Sequence, residues 1–109
     1  MNFEWDERKN LLNIKKHGIS FEHAARVFTD PLRKEDYDCR HSNHEENRTF
    51  AIGVAEGRLL FVSFTEPEPS AEAKGRGSPP DTETIRIISA RKANKHERRY
   101  YYGNRKTYP

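Results

Sequence analysis

Apolar positions in the first third of the chain recur with helical spacing. Phe21, Ala24, Ala25 and Phe28 fall at i, i+3, i+4 and i+7, the inward stripe of a short helix over Phe21–Phe28. Ser20 precedes it as a cap, and Thr29-Asp30-Pro31 stops it, because proline cannot continue a helix. An earlier helix is predicted from Asp6, its N-terminal acid, to about His17, with Leu11, Leu12 and Ile14 as its apolar side. Lys15, Lys16 and His17 fall in its last turn, where cations complement the helix dipole, and Gly18 follows as the C′ residue. Asn2–Trp5 is a short aromatic segment, a strand or an extended lead-in.

Further on, the pattern turns to strands. Thr49–Ala55 and Arg58–Thr65 are rich in β-formers, and Glu56-Gly57 between them is the length and type of a tight hairpin turn. Ile85–Ala90 is a third strand. Strict alternation puts Ile85, Ile87 and Ser89 on one face and Arg86, Ile88 and Ala90 on the other. The weakly patterned stretch Leu32–Asn47 predicts an edge strand near Leu32–Asp38 and then a histidine-bearing loop. Glu66–Glu83 carries Pro67, Pro69, Pro79, Pro80, Gly75 and Gly77 with no apolar period, and reads as a long flexible loop. Ala93–Tyr102 reads as a basic, Tyr-ended helix closed by Gly103. The predicted class is α+β: a small antiparallel sheet packed with helices on one face, in one domain over 1–103, with 66–83 an inserted loop and 104–109 a frayed tail.

Composition narrows the partners. Over 109 residues the chain is 33% apolar and 34% charged, a lean core, so part of it is expected to be peripheral or ordered only with a partner. A net charge of +3 favours nucleic acid or an acidic protein without proving either. The single Cys39 cannot form an internal disulfide, and no base at a defined position marks it as a catalytic thiol. The opening MNFEWDERKN lacks the apolar core of a secretory signal, and no apolar run reaches the roughly 18 residues of a membrane span, so the expectation is cytoplasmic with no membrane partner. His41 and His44 beside Cys39 do not complete a typical zinc set. Phosphate-loop, dinucleotide and nucleophile-elbow motifs are missing, and no cofactor is expected.

A set of phrases in fixed order then carries a resemblance. They are Glu4-Trp5-Asp6-Glu7, Asn13, Lys16-His17-Gly18, Ser20-Phe21-Glu22, Ala24-Ala25, Val27-Phe28 and Asp30-Pro31. His41-Ser42, Glu45-Glu46, Arg48, Ala51-Ile52-Gly53 and Gly57-Arg58 with Leu60 follow. The last are Ile85-Arg86-Ile87-Ile88-Ser89-Ala90-Arg91-Lys92-Ala93 and Glu97-Arg98-Arg99-Tyr100. In these the chain resembles the BrnT family of bacterial type II toxins, which look like RelE-type ribonucleases. The resemblance implies a RelE-like fold, a metal-independent endoribonuclease that arrests translation, and a cognate BrnA-like ribbon-helix-helix antitoxin in a 2:2 complex. RNA would be the substrate, and DNA would be met only through the antitoxin.

RNA cleavage without a metal needs a base for the 2′-hydroxyl, cations for the phosphorane oxygens and an acid for the leaving 5′-oxygen. Arginine suits the middle task, because its planar fork stays charged and matches phosphate. Arg48, opening a strand where the resemblance carries an arginine, is a candidate for it, against a solvated strand-end arginine. Arg86 and Arg91 flank the Ile-Ile-Ser-Ala core of the last strand and are candidates for the same centre, against pairing with Glu45, Glu46 or the antitoxin. His17 is the acid/base candidate, against a helix-dipole cap, and Glu46 a base or an orienting carboxylate, against an exposed loop acid. Lys16, Lys92, Arg98, Arg99 and Tyr101 are candidate RNA contacts. Tyr100 is assigned to packing or antitoxin contact, and Trp5 to packing.

One departure stands out. Where the family strand runs into Thr-x-Arg, this chain has Thr65-Glu66-Pro67 and the long loop, with Arg76 as a weak substitute. Three readings therefore stay open: an active toxin ribonuclease, a weakened relative that binds antitoxin or RNA without cleaving, or a basic surface that only holds an acidic partner.

Overall fold

The computed structural model describes residues 1–38, 48–67 and 83–103. Asp6 opens α1 (Glu7–His17), its carboxylate accepting from the Arg8 N–H at 2.8 Å. Gly18 closes the helix in the left-handed conformation, φ 69°, and its N–H donates to the Ile14 carbonyl. Ser20 caps α2 (Phe21–Ala25) through the His23 N–H, and the chain then tightens into a 3₁₀ turn, Arg26–Thr29. The stripe read as one helix is thus two helical pieces, with Phe21, Ala24 and Phe28 buried.

The strands are β1 (Asn2–Glu4), β2 (Lys34–Tyr37), β3 (Thr49–Ala55), β4 (Arg58–Thr65) and β5 (Thr84–Lys92), ordered β1-β5-β4-β3-β2 in an open sheet. All pairs are antiparallel except β1 with β5, so a short parallel edge makes the expected α+β sheet a mixed one. Glu56 and Gly57 turn the β3–β4 hairpin with φ 51° and 81°, the positive pair that matches strand twist. The main core lies where α1, α2 and the 3₁₀ turn meet the sheet, around Phe21, Val27, Phe64, Ile85 and Ile87. Trp5 joins it edge-on to Phe21, with ring centroids 6.2 Å apart. Gly53 lets the 3₁₀ turn close on β3, since a Cβ there would sit 2.9 Å from Val27 Cγ1. The last helix, α3 (Lys95–Tyr102), does not share the one face expected for the helices but packs on the opposite face, over a smaller cluster of Ile52, Leu59 and Ala93 flanked by Phe50, Phe61 and Tyr101. Among the described residues no helix is long and apolar enough to cross a membrane.

Two expectations are corrected. First, α1 does not bury its leucines: Leu11 and Leu12 are 60% and 66% exposed, while Asn10 and Asn13 are buried. The cause is hydrogen bonding. The pairing of β1 with β5 ends at Glu4–Arg86, and Ala90 lies farther along β5. There the Asn13 amide acts as a strand partner, its Nδ2 donating to the Ala90 carbonyl at 2.8 Å and its Oδ1 accepting from the Ala90 N–H at 3.1 Å. Nδ2 also donates to the Ile19 carbonyl at 2.8 Å, and Asn10 Oδ1 accepts from Phe21 N–H, an orphan donor of α2. Second, strict alternation fails in β5. The register steps from Phe64–Ile87 to Ser63–Ser89, leaving one extra residue on β5. Ser89 therefore joins the face of Arg86, Ala90 turns into the core, and Arg91 lands beside Phe61 under α3.

Candidate nucleic-acid cleft

The face beneath α3 carries a cleft of about 460 Å³ between β2 and the helix. Asp36, Tyr37 and Asp38 line it from β2 and its end, Phe50 and Phe61 from the sheet, and His96, Glu97 and Tyr100 from α3. Phe50 and Phe61 stack at 5.2 Å and 21°, and Tyr100 stands edge-on to Phe50 at 6.4 Å. Arg91 lies over Phe61, 4.3 Å from the ring centroid. Its guanidinium grips Glu97 with both forks, Nη1 to Oε1 and Nη2 to Oε2, each at 2.8 Å. Glu97 is itself fixed by a capping box: Oε1 accepts from the Asn94 N–H at 2.9 Å, and the Asn94 side chain accepts from the Glu97 N–H at 2.8 Å. The result is a locked cation–carboxylate pair next to aromatic surfaces and an exposed imidazole, His96.

The sequence-predicted residues separate around the sheet. Arg91 lines the cleft. Arg86 shares that face farther along β5 but is held by Glu4, at 2.9 Å from Nε and 2.7 Å from Nη2. There it lines a second depression with Trp5, Asp6 and Lys9. Arg48 stands half-buried just before β3, and its carbonyl accepts from the N–H of Asp38, a cleft residue, at 2.8 Å. Lys92 pairs with Leu60 on the α1/α2 side, and Lys16 and His17 end α1 on that same side. Arg98 and Arg99 are exposed on α3. Glu46, together with Cys39, His41, His44 and Arg76, lies outside the described residues.

Tyr101, expected to meet RNA, instead donates its hydroxyl to Asp30 Oδ2 at 2.5 Å. The same carboxylate accepts from the N–H groups of Val54 and Leu32 at 2.9 Å, tying α3 to β3 and the 3₁₀ turn. Burial pushes the Asp30 carboxyl up, but the Tyr101, Val54 and Leu32 hydrogen bonds and nearby Arg33 outweigh it, so its pKa lies below the ordinary 3.8. A carboxyl with a lowered folded pKa contributes stability that is present above its ordinary value and lost as pH falls through the lowered one. Acid titration followed by circular dichroism is therefore expected to show wild-type stability declining below about pH 4. Asp30→Asn should flatten that limb and lower stability at neutral pH.

At the end of β4, where the family arginine would follow, Glu66 and Pro67 stand instead. Loss of water around the Glu66 carboxyl, repulsion from Glu83 and Glu35, and a hydrogen bond with Glu83 raise its pKa. This corner is acidic where the resemblance led to the expectation of an arginine.

The sequence did not single out His96, Glu97 or Asp36, which line the cleft, and it pointed Tyr100, which also lines it, to packing or antitoxin contact. Asn94-x-x-Glu97 has the spacing of a capping box, the one local signal that could have marked Glu97. The fork between Glu97 and Arg91 depends on the turn angle between β5 and α3, which residue types do not disclose.

No curated protein sequence matches the chain. A family model described as "Ribonuclease toxin, BrnT, of type II toxin-antitoxin system" matches residues 5–97, from Trp5 to the carboxylate that holds Arg91. A type II toxin implies a protein antitoxin as partner. With the match running through nearly all of the fold, the chain belongs to the BrnT family of type II toxin–antitoxin ribonuclease toxins.

Proposed function

We propose that the protein is a metal-independent endoribonuclease whose cleavage of RNA inhibits translation, and that the cleft beneath α3 is where it acts. The observation that carries this is the Arg91–Glu97 fork set beside Phe61, in a chain of a ribonuclease family. A single-stranded segment would stack a base on Phe50, Phe61 or Tyr100. Glu97 would take the 2′-hydroxyl proton as that oxygen attacks phosphorus. Arg91 would neutralise the phosphorane oxygens, and His96 would protonate the leaving 5′-oxygen. The products are a 2′,3′-cyclic phosphate and a 5′-hydroxyl, with no metal-bound water required. Arg48 and Arg86 would hold the flanking phosphates, while Arg98, Arg99, Lys16 and Lys92 draw the polyanion in. His17 and Glu46 are the reserve acid and base. The partner in this reading is a BrnA-like ribbon-helix-helix antitoxin in a 2:2 complex that contacts DNA on the toxin's behalf, in the cytoplasm.

Incubating the purified protein with RNA, with and without EDTA, tests the reaction. Internal cuts ending in cyclic phosphate, at a rate unchanged by chelator, are expected. Intact RNA in the presence of folded protein would overturn it. A specific observation favours a non-catalytic binding module as the second reading: Arg86 and Arg91 are both paired to carboxylates, and Pro67 stands where the family arginine would be. Antitoxin binding without RNA cleavage at any ionic strength would select it.

A further inference from the structure

We propose that the outer face of α1 is the docking surface for the antitoxin, and that the element it receives is an acidic amphipathic helix. The proposal rests on family membership and not on the chemistry of the cleft. Its origin is the inversion of α1: the helix turns Asn10 and Asn13 inward and leaves Leu11, Leu12 and Ile14 60%, 66% and 41% exposed. Leu11 and Ile14, three apart, are neighbours on the outer side of the helix, and Leu12 lies about 100° round from Leu11. Exposed apolar side chains of this kind mark an interaction surface when nothing in the fold needs them. Among the described residues nothing does, because the inner face is already satisfied through asparagine hydrogen bonds.

The rim chooses the occupant. Arg8 precedes Leu11 and Leu12 by three and four residues, and Lys15 and Lys16 follow them by four, so cations bracket the apolar centre along the helix. Arg8, Lys15 and Lys16 have no ion-pair partner among the described residues. An apolar stripe flanked by Asp and Glu complements this surface in both respects. A nucleic-acid backbone would satisfy the cations but leave the leucines in water. A second copy of the chain would set these same cations against one another across an isologous interface. Because α1 packs on the sheet from the side away from α3, a helix held here leaves the cleft uncovered. Anchoring of the antitoxin and blocking of catalysis are then separate tasks for separate parts of it.

The test uses the full chain and its cognate antitoxin, purified as a complex and separately. Leu11→Lys with Leu12→Lys is expected to weaken antitoxin binding at least 100-fold by calorimetry while leaving the circular dichroism spectrum and the rate on RNA unchanged. Leu11→Gln with Leu12→Gln provides the same readout without added charge. Arg8→Glu with Lys15→Glu should slow association about tenfold at low salt and much less at high salt. In the wild-type complex, hydrogen exchange should slow across the α1 amides. Unchanged affinity in both leucine doubles would overturn the proposal, as would protection confined to α3 and the cleft. A dimer of the toxin alone that the leucine doubles dissolve would assign the face to a second copy instead. Binding is read without cleavage, so an inactive wild-type enzyme would sink the ribonuclease reading and leave this test intact.

Discussion

Arg91→Ala is expected to slow RNA cleavage by about 100–1,000-fold, the usual cost of removing a group aimed at developing charge. The loss has two parts. The guanidinium proposed to meet the phosphorane disappears, and Glu97 loses both prongs of the fork that fixes its carboxylate. The Asn94 N–H alone then holds Glu97, through one oxygen. Arg91→Lys should recover only part of the rate, because an ammonium restores charge but neither the planar fork nor the stack on Phe61. Glu97→Gln keeps the shape of the capping box and removes the proposed base, so a fall of about 100-fold or more with little change in melting temperature is expected. Single-turnover cleavage with thermal melts of each variant separates chemistry from folding. If Arg91→Ala stays folded and cleaves within a few-fold of wild type, Arg91 only supports α3, and the site lies elsewhere.

Asn13→Ala is expected to destabilise the fold by about 3–5 kcal/mol, a large share of the roughly 5–15 kcal/mol that holds a domain of this size together. Its amide serves three backbone groups at once: both polar groups of Ala90 and the Ile19 carbonyl. With alanine these groups stay buried and lose their partner, the costly case for a hydrogen bond. Asn13→Leu would follow the apolar pattern of the helix more closely and is expected to do no better. Urea unfolding of wild type, Asn13→Ala and, as control, Leu12→Ala measures this directly. The exposed leucine should cost less than about 0.5 kcal/mol.

These contrasts show what the residues disclosed and what they withheld. The β3–β4 hairpin was legible because Glu56-Gly57 can adopt only a few turns and the flanking strands alternate cleanly. The caps of α1 and α2 were legible because Asp6, Ser20 and Gly18 act locally. The orientation of α1 was not, since it is decided by an unpaired stretch of β5 about 77 residues away. The site was half legible. Arginine in the last strand stood out by type, while its partner Glu97 was hidden behind an ordinary capping role, and Tyr101 was claimed by Asp30 across the edge of β3.

The extra residue in β5 carries a consequence for how length and chemistry are linked. Arg86 and Arg91 are separated by an odd number of positions, which in a regular strand sends side chains to opposite sides. The irregularity between Ile87 and Ser89 cancels that parity. One residue of backbone thus has the effect of a frame correction. Without it, Arg91 and Ala90 would exchange sides, placing a guanidinium in the apolar core and a methyl group in the cleft. The catalytic character proposed for this face is encoded as much in a count of residues as in their identities, and a change of length at this point would alter it while leaving every side chain in the strand the same.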